Sequence, residues 1–177
     1  MQLSIVGCPD KKLFRPWVKK AALFYADQLL TKKLLENIYL RIRFNPKLDA
    51  YGYAQILEYN NSRKAREFEI ELHPGIGAVE ILKTLAHEMT HIKQYVYGET
   101  NETLTRWKGI KVDSDNLDYW VQPWEIEAHG MESGLFSKFA VKEKLWEVFR
   151  GVQNPDSPIV PESLGWKEED VLTIRFE

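Results

Sequence analysis

The sequence predicts an α+β domain with an N-terminal helix, a small and mostly antiparallel sheet, a long second helix and a further helix after it. Three observations carry this expectation. Apolar residues recur at helical spacing over 16–35, 77–97 and 123–141. Between the first two of these runs lie three strand-like segments, at 38–44, 51–59 and 67–72. The second helical run contains His87-Glu88-Met89-Thr90-His91, an HExxH motif that needs a helix to bring its two rings together.

The elements follow in order. Residues 2–6 are short and apolar and read as a strand, broken by Cys8-Pro9-Asp10. Pro16 suits the first turn of a helix reaching about Leu35, with Trp17, Ala21, Phe24, Leu29 and Leu30 among its apolar positions. Segment 38–44 alternates Ile, Leu, Ile and Phe against Tyr, Arg and Arg, as a half-buried strand should. Segment 51–59 is rich in aromatic and aliphatic residues, and Asn60-Asn61-Ser62 marks a hairpin-like turn after it. In 67–72, Phe68, Ile70 and Leu72 alternate with Glu67, Glu69 and Glu71, which predicts a row of carboxylates in water. His73-Pro74-Gly75 ends that strand. Beyond the second helix, 103–112 can form a ribbon and 113–116 a turn. Pro123 opens a helix to about Val141, and the Pro-rich tail closes on a strand-like stretch at 171–176. A single domain spans 1–177, with a core at about 15–140 and an extension at about 150–177.

On the helix at 77–97, with about 100° per residue, Leu82, Leu85, Met89, Ile92 and Val96 fall within about 80° of one another and form the core stripe. His87 and His91 project about 180–220° from that stripe's centre, so one face anchors the helix and the other offers two imidazoles. Gly98 is a natural stop. Two such rings can share one Zn2+, and Glu88 between them can take a proton from a water on the ion, which then attacks a carbonyl.

A catalytic zinc takes three protein ligands and keeps an open position. The long motif with a third His is excluded, because Gln94 and Tyr97 stand where it requires Gly and His. The remaining candidates are His73, Glu125, Glu127, His129 and Glu132. Helical geometry selects Glu125, at the border of the apolar side formed by Trp124, Ala128, Met131, Leu135, Phe136 and Phe139. His129 and Glu132 lie beside it, and Glu127 projects about 160° away, toward solvent. His129, one turn on, serves as a positioning partner of a ligand or as a ligand itself. His73 reads as a strand-end residue. Tyr95, one turn beyond His91, is a candidate oxyanion donor, with Tyr119, Arg106 and His129 as alternatives.

Composition narrows the class. With 44% hydrophobic and 28% charged residues this is an ordinary globular chain, and a net charge of -2 gives no nucleic-acid or membrane signature. One cysteine, Cys8, excludes an internal disulfide and any cysteine-based zinc module. No run approaches a membrane span and the N-terminus lacks the layout of a secretory signal, so the expected location is cytoplasmic.

With His87-Glu88-Met89-Thr90-His91 followed by Glu125-Ile126-Glu127-Ala128-His129, the chain resembles small zincin metallopeptidases of the gluzincin kind, over about residues 15–140. The element order is similar to minimal SprT-like and ImmA/IrrE-like peptidases, and small phage-encoded HExxH proteins, which would act in a host cytoplasm, are alike too. His129 stands where that family commonly has Asp. The resemblance implies zinc on His87, His91 and Glu125, Glu88 as general base, and a protein or peptide substrate lying along an exposed strand. The cysteine ribbon or basic extension of SprT-like DNA-repair proteases is missing. The expected function is a zinc-dependent endopeptidase. The alternatives are a binding or structural module on the same fold, and a hydrolase of non-peptide amides.

Overall fold

The computed structural model describes residues 1–60 and 64–152. Their order is β1 (Gln2–Val6), α1 (Arg15–Leu29), α2 (Lys32–Leu35), β2 (Tyr39–Phe44), β3 (Gly52–Tyr59), β4 (Ala65–Leu72), α3 (Ala78–Tyr97), β5 (Arg106–Trp107), β6 (Ile110–Lys111) and α4 (Pro123–Glu143). The fold is α+β, with four helices and a small mixed sheet. None of these helices is long and apolar enough to cross a membrane. The strand-like stretch at 171–176 and most of the expected turn at 60–62 lie outside the described residues.

The first helix is shorter than its apolar spacing predicts. Its last turn closes where Leu30 adopts an extended backbone, and α2 then forms a separate turn. Leu29 and Leu30 both remain buried across the break.

The main sheet runs β1-β2-β4-β3. Two of its three pairings are parallel, β1 with β2 and β2 with β4, and only β3 with β4 is antiparallel. The expectation of a mostly antiparallel sheet is therefore corrected. The β3–β4 hairpin docks through β4, its second strand, and β3 is left at the edge.

Phe68, Ile70 and Leu72 of β4 are fully buried, as are Leu40 and Ile42 of β2. Burying each such side chain contributes about 1.5–3 kcal/mol, which fixes the face turned toward the helices. The opposite face departs from expectation. Glu69 and Glu71 are not in water but buried at 2% and 7% exposure. The parallel register sets Arg41 beside Glu69 and Arg43 beside Glu71. Arg41 and Arg43 pair with these carboxylates, Gln55 of β3 donates to Glu69 at 3.0 Å, and Asn45 donates to Glu71 at 2.7 Å. Buried carboxylates are tolerable only with such partners.

Helix α3 packs on β3 and β4 and against α1, while α4 lies against α3 and α1. The Tyr25 hydroxyl donates to the Leu82 carbonyl at 3.2 Å and ties α1 to α3. Gly98, at φ 67°, caps α3 as its position predicts. The ribbon expected at 103–112 is confined to two-residue strands, β5 and β6. Helix α4 runs two residues past Val141, to Glu143, before Lys144 turns left-handed.

Candidate metal centre

The site forms where the middle of α3 meets the first turn of α4. All five residues of the apolar stripe of α3 are buried, at 8% exposure or less. The opposite side is not free surface, because α4 covers it: His87 is 7% exposed and His91 only partly exposed. Pro123 starts α4, and Glu125 follows in its first turn, where the helix dipole favours a negative charge.

Three side chains converge. His87 Nε2 lies 3.1 Å from His91 Nε2 and 3.2 Å from Glu125 Oε2, and His91 Nε2 lies 3.4 Å from Glu125 Oε1. Ligands about 2.0–2.1 Å from a tetrahedral ion stand about 3.3 Å apart, so this triangle has the dimensions of one face of a zinc site. The donor set, two imidazoles and one carboxylate, is also of the kind that binds a borderline divalent cation.

The rings are held by further contacts. Gln94 is fully buried, and its amide group donates to the Trp124 carbonyl at 2.9 Å and to Glu127 at 3.1 Å. The Gln94 carbonyl oxygen therefore faces His91 Nδ1, at 2.9 Å, and accepts its proton. That bond places the lone pair on Nε2, the atom pointing into the triangle. His87 Nδ1 faces Glu132 Oε2 at 3.4 Å but completes no hydrogen bond.

Glu127 is not solvent-facing as expected. It pairs with Lys93 and Lys108, each at 3.0 Å, and Lys93 also pairs with Glu99 at 2.7 Å. Through these bonds and Gln94, the first turn of α4 is fixed to α3, which sets the position of Glu125.

Charges inside the site balance one another. Burial pulls the His87 imidazole down, but Glu125 and Glu132 beside it push it up to about 9. His91 is raised too, with burial outweighed by Glu125 and Glu88. Burial opposes ionisation of Glu125, yet His87, His91 and Tyr119 hold its carboxyl well below the usual range. Glu88 differs, since burial raises it more than the two histidines lower it. A carboxyl shifted upward suits proton transfer better than charge storage.

Glu88 is 5% exposed and lies under the start of β3. A Cβ on Gly52 would stand 2.6 Å from Glu88 Oε1 and 2.5 Å from Thr84 Cγ2. Only glycine lets the edge strand come this close to the carboxyl.

Of the other candidates, His129 packs its ring at a tilt against His87 (4.5 Å between centroids) and stacks on Trp120 (5.0 Å). The Tyr119 hydroxyl faces Glu125 and lies 3.4 Å from His129 Nε2. Burial and Glu125 raise the Tyr119 hydroxyl, so it keeps its proton as a donor. Tyr95 is partly buried against the core, near enough to feel the charges of Glu88 and Glu125. Arg106 lines a cavity with Tyr95, Tyr97 and Tyr59. His73 directly follows β4, where its Nδ1 accepts from the Gly75 amide at 3.0 Å, outside the His–Glu clusters.

Gln94, Gly52 and the contact of Glu132 with His87 were not read from the sequence. Gln94 had a signal: it lies three residues after His91, on the same helix face. A glycine at the start of an aromatic-rich strand is a weaker sign of close approach. In the sequence Glu132 stands out only as a candidate ligand. No family model matches the chain, and no curated protein or solved structure matches it.

Proposed function

We propose that the chain is a zinc-dependent endopeptidase of the zincin kind. The observation that carries this is the triangle of His87 Nε2, His91 Nε2 and Glu125, with the buried Glu88 carboxyl beside it under an edge strand. When bound, the ion supplies Lewis-acid chemistry at the substrate carbonyl and at water. His87, His91 and Glu125 hold it, and Gln94 keeps His91 in the tautomer that can do so.

Glu88 takes the proton from the attacking water and passes it to the leaving amine. Its upward shift and its burial suit both steps. Tyr119, protonated and facing Glu125, is the donor this mechanism uses for the developing oxyanion, ahead of Tyr95. His129 lies against Tyr119 and His87 and positions both. The outer edge of β3 pairs with no other strand among the described residues. An extended peptide fits there by main-chain hydrogen bonds, which brings its carbonyl past Gly52 and Glu88.

The test is Glu88→Gln. The variant should bind zinc like the wild type and lose cleavage of a broad peptide library by about 10²–10⁴-fold. Wild-type turnover by Glu88→Gln would overturn the mechanism. Absence of chelator-sensitive cleavage by the zinc-loaded wild type would favour a binding module on the same fold.

A further inference from the structure

His87 has two nitrogens, and the peptidase site uses only one. The other, Nδ1, is buried without a hydrogen-bond partner, in a residue only 7% exposed. It points at a second cluster on the outer side of α4. Glu132 Oε2 lies 3.4 Å from His87 Nδ1 and 3.7 Å from His129 Nδ1, and the three ligand atoms lie within 4.8 Å of one another.

The hydrogen bonds around His129 leave its Nδ1 free. The Tyr119 oxygen lies 3.4 Å from His129 Nε2 and accepts from it in the tautomer that carries the ring proton there. An imidazole protonated on Nε2 carries its lone pair on Nδ1. Trp120 stacks on the ring at 27°, and His129 Nδ1 lies on the Glu132 side, 3.7 Å from its Oε2. Two ring nitrogens and a carboxylate oxygen thus converge a second time, one ring apart from the first triangle.

We propose that His87, His129 and Glu132 form a second site for a divalent transition-metal ion, with His87 as a shared bridge between the two ions. The proposal rests on the zinc site above, because the first ion occupies His87 Nε2. The second ion bonds to His87 Nδ1, and the N–H bond there breaks with loss of its proton to solvent. No electrons are transferred. The pair of ions takes the character of a histidine-bridged dinuclear centre, with nitrogen-rich ligation suited to Zn2+, Co2+ or Cu2+.

The experiment is calorimetric titration of the metal-free full chain with Zn2+, repeated in buffers of different ionisation enthalpy to count released protons. Wild type should bind two equivalents, the second with loss of the His87 proton. His129→Ala and Glu132→Gln, both on the more exposed side of α4, should each bind one. Glu125→Gln should weaken the first equivalent. A single equivalent in wild type, or a second that survives both substitutions, would overturn the proposal. If wild type binds one ion and Glu132→Gln weakens that one, Glu132 only orients His87. In that case the peptidase assignment stands and the bridge falls. Absence of any bound zinc removes both.

Discussion

Gln94 decides which nitrogen of His91 can reach a metal. Its amide is committed to Trp124 and Glu127, so its carbonyl oxygen has one orientation left. Gln94→Leu keeps the volume and removes the bond, and zinc affinity should fall about 10–100-fold with the fold retained. Competition against a chelating dye measures it. An unchanged affinity would mean that packing alone orients the ring. The pH dependence has a definite sign. The neighbouring carboxylates, against burial, raise His87 to about 9, so below that value the site holds a proton that zinc must displace. Zinc affinity should therefore rise with pH, by about tenfold per unit for one proton, and level off above about 9. At this scale the sequence made His87, Glu88, His91 and Glu125 legible, since two helical faces and one spacing rule define them. The contacts of Gln94 and Glu132 were not, because they depend on how α4 lies across α3, which no local pattern states.

Elements impose their own constraints. Strand β3 can pass over Glu88 only because Gly52 has no side chain. Gly52→Ala should destabilise the protein by about 1–3 kcal/mol, as overpacking does. It should also lower cleavage by displacing Glu88, with zinc binding intact. Loss of zinc together with activity would show that the strand supports the whole site rather than Glu88. On the other face of the sheet, Arg41→Ala leaves the buried Glu69 with Arg43, at 3.5 Å, as its remaining charged partner. A loss of about 1–3 kcal/mol in chemical denaturation is expected. Alternation located β2 and β4 correctly and named their apolar faces. It assigned the glutamates to water because alternation describes one strand at a time. Arg41 and Arg43 answer Glu69 and Glu71 only once β2 and β4 are neighbours, a pairing made across the β3 hairpin.

At the level of the whole molecule, the proposed site links metal binding to folding. Glu125 and the two histidines come from separate helices, and an ion that binds all three holds α4 on α3. Zinc at about a hundred times its dissociation constant adds about 2.7 kcal/mol to stability. Chelation should lower Tm by on the order of 5–10 °C for a domain of this size, reversibly on adding zinc back. The same scale explains why the strand order could not be read beforehand. The parallel β1–β2 and β2–β4 pairs join segments separated by a helix or a hairpin, and several strand orders satisfy the same alternation. Helix order and the α+β class survived this ambiguity because they rest on local periodicity. The central claim concerns where a cation sits. Anomalous diffraction at the zinc edge, from the full chain loaded with one equivalent, tests it most directly. The account predicts one peak about 2.0–2.1 Å from His87 Nε2, His91 Nε2 and a Glu125 oxygen. A peak that excludes Glu125, or no peak between the two rings, would contradict it.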